Sequence, residues 1–288
     1  MSRIEPEKLR HFRLDLASRT SLVRRITLPD PTTDAGKFVR EAVRAHPELY
    51  LARFVILGEG ESEAIIIPRL AQAQGLLLDS SFVAMVPLGG RHTNHFWHLL
   101  NDLAIPHATL VDLDYGRAGA GALRVRDAFR RLAELGIAVA PSATGVKSVD
   151  DIVESLDCNS LAQLIVGLRS HGVFFSSPLD LDWVMLRAYP DAYKYLAEGE
   201  AGPQASSALT AVIGRDVPDY AKTTWSPVTQ SDKDTTEEFM RWYRYRFLSA
   251  SKPSSHTVAL SRLSAADLAA PPKQLQRLID YVRGQLSL

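Results

Sequence analysis

Apolar runs of strand length alternate with stretches of helical pattern from residue 51 onward. The runs are LARFVILG, SFVAMVPLGG and HATLVDLD, and the stretches between them are ESEAIIIPRLAQAQG and TNHFWHLLNDLAI. Strands that alternate with helices across short loops predict a parallel sheet covered on both faces. Because ligands bind at the carboxyl ends of the strands in such sheets, the residues that follow each strand are the first candidates for a site.

The pattern changes after Asp114. GALRVRDAFRRLAELGIAV and VDDIVESLDCNSLAQLIVGLRSHG predict helices, and GVFFSSPLDLDWVMLRAY then predicts a short strand, a turn and a helix. The sheet is therefore predicted to resume after a helical insertion. Beyond Tyr189 the sequence predicts mostly helices, including YKYLAEG, PQASSALTAVIG and PKQLQRLIDYVRGQL.

These patterns divide the chain into five segments. Residues 1–50 are a lead-in, in which a turn-rich stretch, ITLPDPTTDAG, precedes one predicted helix, AGKFVREAVRAHPELY, and no strand is predicted. The predicted boundaries of the other segments are 51–115 for the first part of the sheet core, 116–171 for the helical insertion, 172–260 for the second part of the core and 261–288 for a C-terminal helix.

The turn after the first of these strands carries acids where a nucleotide-binding turn would leave room for an anion. Glu59, Glu61 and Glu63 follow closely on the strand and would repel a phosphate. No Gly-Lys-Ser/Thr closes the turn either, which excludes a P-loop. Carboxylates at a helix start stay ionised and are ligands for hard cations, so the turn favours Mg²⁺ or Mn²⁺. Capping of the following helix is the structural alternative.

Two further acidic pairs follow predicted strands. Asp112 and Asp114 end the run ATLVDLD, and a spacing of two residues predicts that both side chains lie on one face of the strand. Like charges at the end of a buried strand are costly without a cation between them, which favours a metal site here. Asp180 and Asp182 follow the run VFFSS, where a helix cap explains Asp180 equally well.

Composition narrows the class of protein without identifying a partner. The chain has 288 residues with 46% hydrophobic and 23% charged residues, as in an ordinary globular protein. Its 33 basic residues balance its 33 acidic residues, so net charge neither favours nor excludes nucleic acid. Cys158 is the single cysteine, and no apolar leader or bilayer-length run is present. We therefore expect a cytoplasmic protein without membrane association.

The combination of GEGESE, a strand ending in PLGG and LVDLDYG resembles the Toprim metal-binding core. This core occurs in topoisomerases, bacterial primases and some nucleases. The pattern Glu-Gly-x-x-Glu followed by Asp-x-Asp corresponds here to Glu59, Gly60, Glu63, Asp112 and Asp114. The later stretches GVFFSSPLDLDWVML and SASKPSSHTVAL are similar to the second acidic motif and the lysine motif of one branch, the OLD (overcoming lysogenization defect) family nucleases.

The resemblance implies a Toprim-like α/β fold with a parallel sheet flanked by helices and an inserted helical subdomain. It further implies a DNA endonuclease with two divalent metal ions, Mg²⁺ or Mn²⁺. The implied metal ligands are Glu59, Glu63, Asp112, Asp114, Asp180 and Asp182. Family members usually place an ATPase domain before this region, and the chain shows no Walker A motif, so an ATPase domain is an expected partner.

Two alternatives to a nuclease remain open from the sequence. One is another Toprim chemistry, that of a topoisomerase or a primase-like enzyme, for which a nucleophilic tyrosine would be needed in the topoisomerase case. Tyr115 follows the acids directly but lies on the same turn. The other is a metal-stabilised module without catalytic activity that regulates a partner ATPase.

Basic residues provide the remaining candidates. Lys252 matches the lysine motif and is a candidate for stabilising transition-state charge, and Glu59 is a candidate general acid or base as well as a ligand. Arg91, at the end of the second predicted strand, is a candidate for DNA contact. Arg241 and Arg244 in RWYRYRF are further candidates, because arginines bind phosphates and the interleaved aromatic rings can stack on bases. RVRDAFRR, in the insertion, is a similar basic stretch, and solvated helix faces explain both stretches as well.

Overall fold

The structure of the chain, a computed structural model, describes residues 8, 10–15, 18–88, 93–142, 145–214 and 233–286. Its strands form a two-stranded antiparallel hairpin and a four-stranded parallel sheet. The strands are β1 (Arg10–Asp15), β2 (Thr20–Arg25), β3 (Phe54–Gly58), β4 (Val83–Pro87), β5 (His107–Asp112) and β6 (Val173–Ser176).

The parallel sheet has the order β4-β3-β5-β6. All five residues of β3 and all four of β6 are buried, as expected for strands covered on both faces. The predicted α/β fold with a helix-flanked parallel sheet is therefore confirmed.

Helices account for most of the remaining described chain. They are α1 (Asp34–Ala45), α2 (Glu61–Ala73), α3 (Thr93–Asp102), α4 (Ala122–Glu134), α5 (Cys158–Arg169), α6 (Leu181–Ala188), α7 (Pro190–Tyr193), α8 (Leu209–Ile213), α9 (Lys233–Tyr243), α10 (Lys252–Arg262), α11 (Ala265–Ala269) and α12 (Lys273–Leu286). Short 3₁₀-helices span Pro47–Leu51 and Val149–Asp151, and a π-helical turn, Arg244–Leu248, continues α9.

The last helix, α12, belongs to the sheet core. It packs on β3, β5 and β6, and its Tyr281 ring meets Phe54 and Phe174 edge to face, with centroids 6.3 and 5.4 Å apart. Edge-to-face aromatic pairs of this kind add stability beyond the area they bury. The end of the chain therefore helps to hold together the strands whose ends carry the candidate site.

Helices α4 and α5 lie between β5 and β6 in the chain and pack against each other. The predicted helix GALRVRDAFRRLAELGIAV contains α4, whereas VDDIVESLDCNSLAQLIVGLRSHG is α-helical only over Cys158–Arg169, after the 3₁₀ turn Val149–Asp151. Asp157 begins α5 as its N-cap, accepting hydrogen bonds from the backbone N–H groups of Asn159 at 2.9 Å and Ser160 at 3.0 Å. Helix α4 begins after Gly121, whose φ of 62° lies in the left-handed region that glycine tolerates best.

The hairpin of β1 and β2 was not predicted from the sequence. Its alternation is inverted: Phe12, Leu14 and Val23 are exposed, whereas His11 is buried and the Arg13 guanidinium reaches the Arg53 carbonyl oxygen at 3.4 Å. Because most of its large apolar side chains face solvent and His11 faces the protein, the usual strand pattern of apolar residues toward the core does not apply. The lead-in helix, by contrast, is present as α1.

Two helices predicted beyond Tyr189 are shorter than expected. The stretch YKYLAEG is not helical beyond Tyr193, where α7 ends, and PQASSALTAVIG forms a helix only over Leu209–Ile213. None of the helices in the described ranges is sufficiently long and apolar to cross a lipid bilayer.

Candidate metal and catalytic site

The strand order brings three acidic loops to one edge of the sheet. The chain leaves β3 toward β4 on one side, whereas β5 and β6 lie on the other side. Such a reversal creates a crevice at the carboxyl ends of the strands, where α/β proteins bind ligands. The loops after β3, β5 and β6 carry the acids at 59–63, 112–114 and 180–182 and are therefore neighbours.

The turn after β3 holds Glu63 as a helix cap. Its Oε2 accepts a hydrogen bond of 2.9 Å from the backbone N–H of Gly60, just before α2. Gly58 permits the close approach, because a Cβ there would lie 2.5 Å from the Glu63 Cβ and 2.7 Å from the Met85 Cε. Glu63 is 3% exposed and Glu61 is exposed, so Glu63 points into the protein and Glu61 does not.

Glu59 reaches across to the end of β5. Its Oε1 accepts hydrogen bonds from the backbone N–H of Asp112 at 3.0 Å and from Arg124 Nη1 at 2.6 Å. Burial raises the pKa of Glu59, and the charge of Arg124 opposes that effect. The side chain thus connects the loops after β3 and β5.

Asp112 and Asp114 do not lie on one face of a strand, and this detail of the sequence prediction is wrong. Strand β5 ends at Asp112, and Asp114 has a φ of 52°, in the left-handed region. Aspartate adopts this conformation more readily than most residues other than glycine. The two side chains therefore have different neighbours although both lie at the site.

The carboxylate of Asp112 turns toward β6. Its Oδ1 accepts hydrogen bonds from Ser176 Oγ at 2.6 Å and from the backbone N–H of Leu181 at 3.1 Å. Asp114, in contrast, has a basic partner on each oxygen: Oδ1 accepts from Arg117 and Oδ2 accepts from Arg124 at 2.5 Å. Asp114 is thus compensated by two guanidinium groups, and Asp112 is held by neutral donors.

Asp180 is the N-cap of α6, so the capping alternative is correct for this residue. Its Oδ1 accepts from the backbone N–H of Trp183 at 2.9 Å. The other oxygen, Oδ2, accepts a hydrogen bond from the Tyr243 hydroxyl and lies 3.6 Å from Arg117 Nη2. Capping a helix and joining the acidic cluster are therefore compatible roles.

Asp182 is surrounded by donors from other helices. Its Oδ1 lies 2.8 Å from His256 Nε2 and accepts from Ser62 Oγ at 3.3 Å, and its Oδ2 pairs with Lys252 Nζ at 2.5 Å. Tyr193 lies on the other side of the fully buried His256 ring, with its hydroxyl 2.7 Å from Nδ1. Burial favours a raised pKa for Asp182, but His256 and Lys252 outweigh it and the pKa is lowered.

Three further carboxylates of the cluster, besides Glu59, are costly to ionise. Burial raises the pKa of Glu63 to about 7, and the charges of Asp182 and Glu59 add to the effect. Burial also raises the pKa of Asp112 well above its usual range, with Asp180 and Glu59 contributing. For Asp180, burial raises the pKa to about 6 despite the opposing charge of Arg117. A cation placed among these groups would relieve the cost.

The chemistry of the cluster fits a hard divalent cation. Glu63 and Asp112 form no ion pair with any Lys or Arg in the described ranges, and Glu59, Glu63 and Asp112 each keep one carboxylate oxygen without a hydrogen bond there. Carboxylate oxygens of this kind are the ligands that Mg²⁺ and Mn²⁺ prefer.

The present side-chain positions do not form a complete metal cage. Across the residues that the structure describes, no three His, Cys, Asp or Glu side chains are arranged so as to hold a metal ion. Asp114 and Asp182 are not free to bind a metal ion, because basic side chains already neutralise them. Arg117 and Arg124 pair with Asp114, and Lys252 pairs with Asp182.

Several site residues were missed by the sequence reasoning. Arg117 and His256 were not singled out, Tyr243 and Arg124 were considered only as parts of basic stretches, and Ser176 only as part of a strand. A signal exists for Arg124, which begins RVRDAFRR shortly after the Asp-x-Asp pair. No sequence signal identifies His256 as the partner of Asp182, because the two lie 74 positions apart in the chain and only the packing of α10 joins them.

Two of the three candidates for DNA contact lie in the described residues, at a cavity that none of the acids of the cluster lines. Arg241 and Arg244, on α9 and the π-helical turn, line a cavity of about 260 Å³ together with Tyr245, Ser206 and Ser249. Arg91 falls outside the described residues.

The family comparison matches a segment that contains part of this site. The family model described as "Overcoming lysogenization defect protein-like, TOPRIM domain" matches residues 51–114, the segment that carries the acids of the first two loops. No curated protein matches the sequence.

Two solved structures are similar to the chain. The C-terminal region of the Burkholderia pseudomallei OLD protein is 19% identical, with 82% of this chain and 98% of that chain covered and a TM-score of 0.50. The C-terminal region of the Xanthomonas campestris pv. campestris OLD protein is 18% identical, with 82% and 97% covered and a TM-score of 0.49. Residues 51–114 of this chain are therefore an OLD-like Toprim domain, within a fold like that of the C-terminal region of OLD proteins.

Proposed function

We propose that this chain is a DNA endonuclease that hydrolyses phosphodiester bonds with two divalent metal ions, Mg²⁺ or Mn²⁺. The observation that carries the proposal is the meeting of acids from three strand ends at one edge of the sheet, with Lys252 beside them. The OLD-like Toprim match over residues 51–114 supports the same chemistry.

Glu59, Glu63 and Asp112 are the proposed ligands with a carboxylate oxygen still available. Asp114, Asp180 and Asp182 are proposed to complete the set, each after its Arg, Tyr or Lys partner moves aside. Bound divalent ions would supply Lewis-acid stabilisation of the phosphate oxygens and lower the pKa of an attacking water.

Lys252 is the proposed source of positive charge for the scissile phosphate. Its ammonium pairs with Asp182, and 42% of the side chain is exposed, so a substrate can reach it. Burial acts to lower the pKa of Lys252, but the charge of Asp182 outweighs burial and the pKa is raised, which keeps the group cationic. A fixed cation beside the developing negative charge is an effective form of transition-state stabilisation. Glu59 is the proposed general acid or base when it is not acting as a ligand.

The cavity beside Arg241 and Arg244 is the proposed contact for the DNA backbone. None of the residues that line it is acidic, and the two guanidinium groups present donors that suit phosphate oxygens. Arg91 is proposed as a further contact because it follows β4 in the sequence. These contacts would position DNA without reading its sequence.

The topoisomerase alternative has no exposed tyrosine at the described site. Tyr115 is 4% exposed, and its hydroxyl accepts a weak hydrogen bond from Cys158 Sγ at 3.5 Å. Tyr243 is fully buried while its hydroxyl donates to Asp180. A nucleophile that attacks DNA must reach the phosphate, so both positions favour hydrolysis over a tyrosyl–DNA adduct.

The test compares Glu63→Gln with Glu61→Gln in plasmid cleavage with Mn²⁺ or Mg²⁺. The two glutamates share the first turn of α2, but Glu63 is buried in the cluster and Glu61 is exposed. Removing a residue that hydrogen-bonds to a metal ligand commonly lowers metal affinity or activity by about 10–100-fold. Removing a ligand itself should therefore lower the cleavage rate by about 100-fold or more. Glu61→Gln should cleave at the wild-type rate.

Equal cleavage by wild type and a folded Glu63→Gln variant would contradict the proposed site. Wild-type protein that leaves plasmid intact in both metals, while it binds an ATPase tightly, would instead favour a regulatory module. A covalent protein–DNA adduct would favour the topoisomerase alternative. An ATPase domain is also the proposed partner of the active enzyme, as the resemblance to the OLD family implies.

A further inference from the structure

The guanidinium of Arg124 bridges the ends of two different strands. Its Nη1 donates to Glu59 Oε1 at 2.6 Å and to the Asp112 carbonyl oxygen at 3.0 Å, and its Nη2 contacts Asp114 Oδ2 at 2.5 Å. Glu59 follows β3, whereas Asp112 and Asp114 end and follow β5. A single cationic group therefore lies between two carboxylates that are proposed to bind metal.

Arg117 also spans two loops, because it pairs with Asp114 and lies 3.6 Å from Asp180, but it differs from Arg124 in its other partners. Arg117 also donates to the Val212 carbonyl oxygen at 3.1 Å and contacts the Tyr243 hydroxyl at 3.4 Å, so neutral partners help to hold it in place. Lys252 contacts Asp182 alone among the described acids of the cluster at ion-pair distance. Arg124 joins the loop after β3 to the loop after β5.

We propose that Arg124 is an internal counter-cation that holds Glu59 and Asp114 together in the metal-free protein and that a divalent cation must displace it to bind them. The proposal rests on the proposed function for the choice of a divalent cation. Its physical basis is charge: without a cation, two carboxylates on adjacent loops repel each other, and a guanidinium spans both with a fork of donors. A metal ion at the same oxygens would be repelled by a guanidinium that stayed in place.

This arrangement explains why the acids converge although the described residues hold no complete metal cage. In the metal-free protein, Arg124 already holds the loops after β3 and β5 in position, so these loops do not need a bound ion to adopt this arrangement. Metal binding is then an exchange of the Arg124 guanidinium for a metal ion at Glu59 and Asp114. The free energy needed to move Arg124 away weakens the metal affinity.

The test measures Mn²⁺ binding without DNA by isothermal titration calorimetry, together with the melting temperature in EDTA. Arg124→Gln removes the charge, and Arg130→Gln is the matched control, because Arg130 lies on the same helix and pairs with the exposed Asp150 at 2.9 Å. Arg124→Gln should melt at a lower temperature in EDTA and bind Mn²⁺ at least about tenfold more tightly than wild type, since a like charge beside the ion is removed. Arg130→Gln should match wild type in both measurements.

Unchanged or weaker Mn²⁺ binding by a folded Arg124→Gln protein would overturn the proposal. If Arg124→Gln is unfolded in EDTA, Mn²⁺ should restore its folding, and failure to do so overturns the proposal as well. Arg124→Lys, which keeps the charge without the fork, should bind Mn²⁺ with an affinity closer to wild type than Arg124→Gln does. Because no DNA is used, an absence of DNA cleavage would contradict the proposed function and leave this result standing on its own.

Discussion

Single carboxylates at this site serve both the backbone and the cluster. Glu63 accepts the N–H of Gly60 with one oxygen, and Asp180 accepts the N–H of Trp183 with one oxygen. Each leaves its second oxygen for the interior of the site. Sequence reasoning treated capping and metal binding as competing explanations, but a carboxylate has enough acceptor positions for both.

At this scale we predict that Glu63→Gln stabilises the metal-free protein at pH 8. Burial raises the pKa of Glu63 to about 7 from a reference of 4.5, so ionising it at pH 8 destabilises the folded state. Glutamine removes that ionisation and keeps an oxygen for the Gly60 N–H, which should stabilise the protein by about 1–3 kcal/mol. Chemical denaturation in EDTA measures the change.

The companion expectation is that the same variant loses its response to Mn²⁺. A residue that weakens stability while it enables binding shows the trade-off expected of a functional group. Glu61→Gln, on the same helical turn but exposed, should leave both measurements unchanged. A destabilised Glu63→Gln protein would show that Glu63 is a structural residue only.

The junction of β3 and α2 sets the position of the first acids. Gly58 is the last residue of β3, and the space where its Cβ would lie is filled by Glu63 and Met85. The turn therefore resembles a nucleotide-binding turn because the strand end and the helix start approach closely. Here the close approach brings a carboxylate to the strand end, whereas in the nucleotide-binding turn it makes room for a phosphate.

We predict that Gly58→Ala destabilises the protein by about 1–3 kcal/mol, the usual cost of overpacking a filled interior. The added Cβ would lie 2.5 Å from the Glu63 Cβ, so α2 must shift away from β3. Urea denaturation measures the loss, and Mn²⁺ binding should weaken with it because Glu63 moves.

Gly167→Ala is the matched control for this change. Gly167 lies inside α5 and is exposed, and a Cβ added there would have no neighbour within 4 Å. Alanine is a better helix former at this position and should stabilise the protein by up to about 1 kcal/mol. Equal effects of the two substitutions would contradict the packing argument at Gly58.

Across the whole molecule, charge is balanced overall and unbalanced locally. The chain carries 33 basic and 33 acidic residues, yet the acids of three loops meet at one sheet edge. Arg117, Arg124 and Lys252 compensate part of this charge, whereas Glu63 and Asp112 have no such partner in the described ranges.

We predict that the melting temperature of the metal-free protein falls as the pH rises from about 5 to about 8. The pKa values of Glu63 and Asp180 are raised in the folded state, to about 7 and about 6, above references of 4.5 and 3.8. Stability from a raised carboxyl pKa is present below the unfolded value and is lost as pH rises through the folded value. Scans in EDTA measure the fall.

Saturating Mn²⁺ should reverse much of this loss at pH 8, because an ion that binds only the folded state stabilises it. At pH 5 the effect of Mn²⁺ should be smaller, since protons occupy the same carboxylates. A melting temperature in EDTA that does not change over this pH range would contradict the balance of charge inferred for the cluster.

The sequence by itself determined the parallel sheet, the position of its strands and the acids that follow them. Apolar runs bounded by glycine and aspartate are local signals, and they were sufficient for β3 to β6 and for the three acidic loops. Only the tertiary structure decided which charges neutralise which. Arg124 and His256 reach their carboxylates through the packing of α4 and α10, and contacts between residues distant in the chain leave no periodic trace in sequence. The sequence did not predict the exposed apolar side chains of the β1–β2 hairpin for a related reason. Which side of a strand contacts the protein depends on how the hairpin packs against the rest of the chain.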